Sequence, residues 1–285
     1  MDQRITDFYD EYTNGTISRR DLLERLARLI GGSATALAFL SILEGEDAQA
    51  QIVAANDERL AIAPLEYDVG GTKIAGYLAR LKGGQKRPGV IVIHENRGLN
   101  PHIQDVARRL AVEGFLALAP DMLSPLGGTP SDETQATKMI GSLNARETAA
   151  RLAAAVSFLA GYGESTGKVG AVGFCWGGGM ANRLAAAGTS LNASVAYYGS
   201  QLPAAEVPKI SARLLLHYAG LDQRINAGIA DYEAALKANN KMYELYMYEG
   251  ANHAFNNDTN AARYHKDAAE LAWSRTVKFL KKYLA

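Results

Sequence analysis

Residues 168–180 of this 285-residue chain, Lys-Val-Gly-Ala-Val-Gly-Phe-Cys-Trp-Gly-Gly-Gly-Met, carry a short apolar run straight into a helix-forming stretch. The single cysteine of the sequence, Cys175, stands at the junction, with Gly173 and Gly177 two positions to either side. A strand passes into a helix through one residue only if that residue accepts a strained backbone and its neighbours are small enough to let the two elements pass closely. Such an elbow lifts the central side chain above the carboxyl end of a sheet. The N-terminus of the following helix then favours a thiolate there. A lone cysteine is more often a small buried hydrophobe, but this strand-before, helix-after context makes Cys175 a candidate nucleophile.

The elbow needs a sheet around it, and the flanking sequence supplies one. From about Leu65, short β-branched runs alternate with longer helical ones, which predicts an α/β fold with a mostly parallel central sheet and helices on both faces. Leu65 to Val69 and Lys73 to Leu81, joined by Gly70-Gly71, predict a hairpin at an antiparallel N-terminal edge. Val90 to Ile93, Phe115 to Leu118, Val169 to Phe174, Ser194 to Tyr198, Arg213 to His217 and Glu244 to Tyr248 are apolar enough for interior strands. Helices are expected from Pro101 to Glu113, Asp132 to Leu159, Gly177 to Ala187, Ile225 to Ala238 and Ala261 to Leu284. Residues 51–285 read as one catalytic domain.

Composition removes several classes of function. Thirty basic and thirty acidic residues cancel, so no net field concentrates nucleic acid or an anionic membrane. One cysteine excludes an intramolecular disulfide and a multi-cysteine metal site. His94, His102, His217 and His265 lack ligand spacing, so no metal is expected; His94 and His217 end strands and are candidates to line a pocket. Gly163 to Val169 departs from the phosphate-loop pattern and reads as a turn, and no Gly-x-Gly-x-x-Gly joins a strand to a helix. No cofactor is expected.

Two partners for the thiol occur downstream. Asp222 lies just past the run Leu214 to His217, and His253 lies just past Tyr246 to Tyr248. Nucleophile, acid and histidine at the ends of successive strands is the chain order of α/β-hydrolase triads. A tetrahedral oxyanion needs two fixed donors; the backbone N–H of Trp176 and one from the loop after Ile93, at Asn96, are the candidates. Glu95, directly after a buried strand, is placed in the site, where it is expected to hydrogen-bond the thiol.

Gly173-Phe174-Cys175-Trp176-Gly177-Gly178 and His94-Glu95-Asn96-Arg97-Gly98-Leu99-Asn100-Pro101-His102-Ile103 resemble the dienelactone hydrolases (carboxymethylenebutenolidases) over about Leu65 to Leu284. The resemblance implies an α/β-hydrolase fold, a triad of Cys175, Asp222 and His253 with Glu95 beside it, and cofactor-free hydrolysis of a small-molecule lactone or another ester. It also implies arginines near the histidine and after the second parallel strand to hold a substrate carboxylate. Ala254-Phe255-Asn256-Asn257 and Asp121 to Gly127 contain none, which favours a neutral ester or lactone. Arg97 and Tyr198 are the candidate substrate-binding residues, Arg97 with a solvated or structural role as its alternative. Two other functions fit parts of the pattern: a non-catalytic ligand-binding protein on a hydrolase fold, and a redox protein using Cys175 without a resolving cysteine.

Residues 1–50 read differently. Arg19-Arg20, an apolar run from Ala34 to Leu43 and Ala48-Gln49-Ala50 are the parts of a twin-arginine export signal, implying a periplasmic protein. The run is too short for a stable membrane span. Leu22 to Leu29, with Glu24, Arg25 and Arg28, equally predicts an amphipathic helix docked on the protein, retained in the cytoplasm.

Overall fold

The structure, a computed structural model, describes residues 3–13, 16–30, 32, 36, 40 and 51–285. Strands β1 (Leu60–Val69), β2 (Thr72–Leu81), β3 (Arg87–Ile93), β4 (Leu116–Pro120), β5 (Ser165–Phe174), β6 (Leu191–Tyr197), β7 (Arg213–Ala219) and β8 (Tyr243–Tyr248) form one sheet in the order β1-β2-β4-β3-β5-β6-β7-β8. β1 and β2 pair antiparallel, as do β2 and β4; every other neighbour is parallel. This is an α/β-hydrolase fold with the expected antiparallel edge. Gly70 and Gly71 make the hairpin turn with φ of 59° and 86°, a two-residue geometry that strongly favours glycine. The edge strand starts at Leu60, earlier than its apolar pattern suggests, and its Pro64 is tolerated because an edge residue can do without an N–H.

The continuous apolar run of β3 follows from burial on both faces. Val90 and Val92 point into a core shared with Ile103, Val106 and Leu110 of helix α3 (Pro101–Val112), while Ile91 and Ile93 point into the opposite core with Leu152, Val156 and Leu159. Each such side chain contributes about 1.5–3 kcal/mol on full burial. Helix α3 starts where Asn100 Oδ1 accepts the Ile103 amide at 3.1 Å, with Pro101 in the first turn.

Three expected helices are divided or shortened. The stretch from Asp132 to Leu159 forms α4 (Glu133–Ser142) and α5 (Ala145–Ala160), because Leu143 is extended and Asn144 Oδ1 caps a new helix through the amides of Arg146 and Glu147 at 2.9 and 3.1 Å. This break frees α4 from the sheet and lets it lie over the carboxyl ends of the strands. After α6 (Trp176–Ala185), the expected helix from Ile225 divides at Gly228 into α7 (Gln223–Asn226) and α8 (Ile229–Ala238). The last helix, α9 (Lys266–Leu284), begins at a His265 cap and not at Ala261.

The N-terminal residues form α1 (Gln3–Thr13) and α2 (Arg19–Ile30), whose Ile5, Tyr9, Leu22 and Leu26 are buried together with Ala36 and Leu40. Leu22 and Leu26 lie on one helical face, as the amphipathic pattern requires. The Ala48-Gln49-Ala50 step lies outside the described residues. Downstream, Asp105 accepts the amides of Ile52 and Val53 at 3.2 and 2.9 Å, and Arg108 donates to Val53 O at 2.6 Å and to Gln51 Oε1 at 2.8 Å. No described helix is long and apolar enough to cross a membrane.

Candidate active site

The elbow at Cys175 has φ 54° and ψ −116°, a conformation that L-residues rarely adopt. Close packing enforces it. A Cβ on Gly173 would meet Gly177 O at 2.0 Å, and one on Gly177 would meet the carbonyl oxygens of Ile93 and His94 at 2.4 Å. The Cys175 amide is tied to Tyr197 O at 3.0 Å. Two further non-glycine residues with positive φ, Tyr198 at 40° and Ala254 at 64°, also belong to this end of the sheet.

Asp222 and His253 are brought to Cys175 by the ends of β7 and β8. Asp222 caps α7 by accepting the Ile225 amide on Oδ1 at 3.2 Å, leaving Oδ2 to accept His253 Nδ1–H at 2.5 Å. This bond fixes the imidazole tautomer. His253 Nε2 is buried, and Cys175 acts on the imidazole more strongly than any other group, by electrostatic attraction and by a side-chain hydrogen bond. Burial disfavours the imidazolium, but electrostatic attraction to Cys175 and Asp222 and hydrogen bonds to both together raise the His253 pKa to about 10. The Asp222 carboxyl is correspondingly lowered, burial again opposing and the His253 hydrogen bond prevailing.

Cys175, Trp176, Asn96, Tyr198, Arg224 and His253 line one cavity of about 260 Å3. Thr137, Ile140 and Gly141 of α4 line it as well. The Trp176 N–H belongs to the first helical turn, which has no acceptor within the helix. Its indole stacks on His94 with ring centroids 5.3 Å apart. His94 does not line the cavity: Nδ1–H donates to Glu95 O at 2.7 Å and Nε2 accepts the Met122 amide at 3.2 Å. It is a neutral brace for the loop carrying Glu95 and Asn96, its pKa lowered chiefly by burial. His217 is likewise structural, bonded to Tyr248 and Thr276 at 2.9 and 3.1 Å, with burial lowering its pKa to about 3.

Glu95 is in the site, but its hydrogen bonds do not go to the thiol. Oε1 accepts from Tyr198 Oη at 3.3 Å and Oε2 from Asn257 Nδ2 at 2.9 Å. Burial, then the Glu95 charge, pushes the Tyr198 hydroxyl well above its usual range and keeps it a donor. Its ring lies 5.0 Å from that of His253. Asn257 is a site residue that sequence reasoning passed over, having read that segment only for arginine.

The absence of arginine in two loops does not leave the site without cations. Arg224 is exposed on the cavity rim, two residues after Asp222. Arg97 and Arg263 line a recess of about 10 Å3 with Glu95, Asn257, Cys175 and His253. Arg263 arrives there because turns at Asn257, Asn260 and Arg263 fold the segment back until His265 N donates to Phe255 O at 3.0 Å. Arg97 is not solvated; it pairs with Glu133 at 2.8 Å. Among the described residues no cluster of His, Cys, Asp and Glu could hold a metal ion.

The family model described as "Dienelactone hydrolase family" matches residues 74–284. A protein of Saccharolobus solfataricus named "Putative carboxymethylenebutenolidase" is 33% identical over 252 residues, covering 76% of this chain and 96% of its own. One of the same name from Methylorubrum extorquens is 31% identical over 288 residues, 94% of each chain, and so extends over the N-terminal segment. Among solved structures, the "Putative Dienelactone Hydrolase" of Klebsiella pneumoniae superposes with a TM-score of 0.73 at 29% identity, over 79% of this chain and 99% of that one.

Proposed function

Because the chain belongs to the dienelactone hydrolase family, we propose that it hydrolyses a lactone or another carboxylic ester, with Cys175 as nucleophile, His253 as its base and Asp222 orienting the imidazole. The observation that carries this reading is the alignment at His253: Nδ1–H held by Asp222 at 2.5 Å, and the same imidazole hydrogen-bonded to Cys175 at the elbow.

In the first half-reaction His253 takes the thiol proton and the sulfur attacks the carbonyl carbon, moving the π-electrons onto oxygen. The N–H groups of Trp176 and Asn96 are assigned to the oxyanion, each such donor typically contributing about 3 kcal/mol. Collapse breaks the C–O bond, and the imidazolium protonates the departing alkoxide. A water then gives its proton to His253, attacks the thioester and releases the acid, and the sulfur regains the proton. Glu95 takes no proton in this scheme; it is a positioning residue that fixes Tyr198 against His253. Arg224 and Arg97 are the candidates for contacts to polar substrate groups.

Cys175→Ala is expected to abolish hydrolysis of p-nitrophenyl acetate while the circular dichroism spectrum is retained, and iodoacetamide is expected to do the same to the wild type. Undiminished turnover in Cys175→Ala ends the cysteine-hydrolase reading. No turnover by the wild type on any short ester, with saturable ester binding, favours a ligand-binding protein on this fold.

A further inference from the structure

Two guanidinium groups beside Cys175 are covered by the N-terminal helices. Arg97 and Arg263 both line the small recess that contains Glu95, Cys175 and His253. The Arg97 side chain is only 13% exposed and Arg263 is buried. Tyr9 of α1, itself fully buried, touches both: Arg97 Nη2 donates to Tyr9 Oη at 3.4 Å, and the Arg263 guanidinium carbon stands 5.0 Å from the Tyr9 ring centroid. Glu133 holds Nη1 of Arg97 at 2.8 Å. The helices are seated by more than Tyr9, since Ala262 packs into their apolar cluster and Tyr12 Oη lies 3.4 Å from Thr134 Oγ1 on α4. Arg97 also lines the groove of about 270 Å3 between this segment and α4, so it forms part of the wall between that groove and the nucleophile.

A planar, permanently charged guanidinium next to a nucleophile is a ready partner for an anionic group on the incoming molecule. Here a phenol ring, its hydroxyl and a carboxylate occupy the two guanidinium groups from outside. We propose that Tyr9 is a specificity-determining residue: the N-terminal helices cap the cationic flank of the site, so the intact chain prefers neutral electrophiles at Cys175, and loosening the cap shifts the preference towards anionic ones. Arg224 lines the larger cavity and not this recess, so its contribution is taken as equal in both states. The inference rests on this cavity being the substrate site, and its test does not require turnover.

Cys175 is the sole cysteine, so alkylation reports on one atom. Rate constants for iodoacetate and iodoacetamide, similar in size and different in charge, are measured on full-length wild type, Tyr9→Ala, Tyr9→Phe and Glu133→Gln. The iodoacetate-to-iodoacetamide ratio is expected to rise at least about tenfold in Tyr9→Ala, the effect of gaining one charge-assisted contact. It is expected to rise less in Tyr9→Phe, which keeps the ring, and to rise in Glu133→Gln, which releases Arg97 from a surface position. A ratio unchanged or lowered in folded Tyr9→Ala overturns the cap; were that variant to misfold, an unchanged ratio in Glu133→Gln and Tyr9→Phe does so. A raised ratio in a protein without esterase activity would retain the cap and refute the hydrolase reading. Full esterase activity with an unmoved ratio would do the reverse.

Discussion

Replacing Gly173 by alanine tests whether the elbow is held by packing. The added Cβ would lie 2.0 Å from Gly177 O, 2.4 Å from Gly177 C and 2.9 Å from Gly178 N, against an ordinary contact of 3.4 Å or more. All three are backbone atoms of the first turn of α6, so no side chain can swing away. The turn has to shift by about 1 Å, taking the Cys175 Sγ and the Trp176 N–H with it. Overpacking of this kind costs about 1–3 kcal/mol, which lowers Tm by roughly 2–4 °C per kcal/mol for a domain of this size. A displacement of about 1 Å at reacting groups costs on the order of a hundredfold in rate. Gly173→Ala should therefore lose about two orders of magnitude in kcat/KM on p-nitrophenyl acetate while remaining folded at 25 °C. Gly163→Ala, where a Cβ meets nothing within 4 Å, is the control and should change neither quantity. Wild-type kcat/KM in Gly173→Ala would refute the claim that glycine is required there by contact with the helix.

The pH dependence of stability has a definite sign. His253, raised to about 10, contributes stability fully present below pH 6.5 and lost as pH rises towards 10, so denaturant unfolding of wild type minus His253→Gln should shrink over that window, and a difference that grows there contradicts the pairing. Because the Cys175 charge is the largest effect raising that pKa, Cys175→Ala should move the loss to lower pH in the same titration. Asp222, lowered from 3.8, contributes stability that disappears as pH falls below that value, and Asp222→Asn should lack this acid limb. Asn257→Leu leaves a buried Glu95 oxygen without its donor and should cost about 1–3 kcal/mol by chemical denaturation, Asn257→Asp more. On the origin of the first fifty residues, N-terminal sequencing from the native host decides: cleavage near Ala50 supports export, and an intact Met1 on active soluble enzyme opposes it.

What was legible in the sequence was what local chemistry dictates. The alternation of β3 between two cores, the glycines around Cys175 and the proline and asparagine opening α3 are consequences of neighbours in the chain, and each was readable there. The break between α4 and α5 was also written locally, in Asn144, but the apolar spacing continues through it and masks the cap. Arg263 was not legible. It reaches the recess only after several turns and a closing bond from His265 to Phe255, and ten residues of separation from His253 carry no sign of that closure. Nor did periodicity say where the amphipathic face around Leu22 and Leu26 would dock, because hydrophobicity specifies that a face is covered and not by what.

The brace at Gln51 to Val53 has a mechanical consequence. Asp105 and Arg108 of one rigid helix grip both the amides and a carbonyl of this short segment just before β1. It acts as a strain relief on a cable. A pull, a cut or a rocking movement upstream of Gln51 meets this fixed point before it reaches the edge strand. The N-terminal helices can therefore be displaced as a body while the register of β1 against β2, and with it the sheet that holds the elbow, stays where it is.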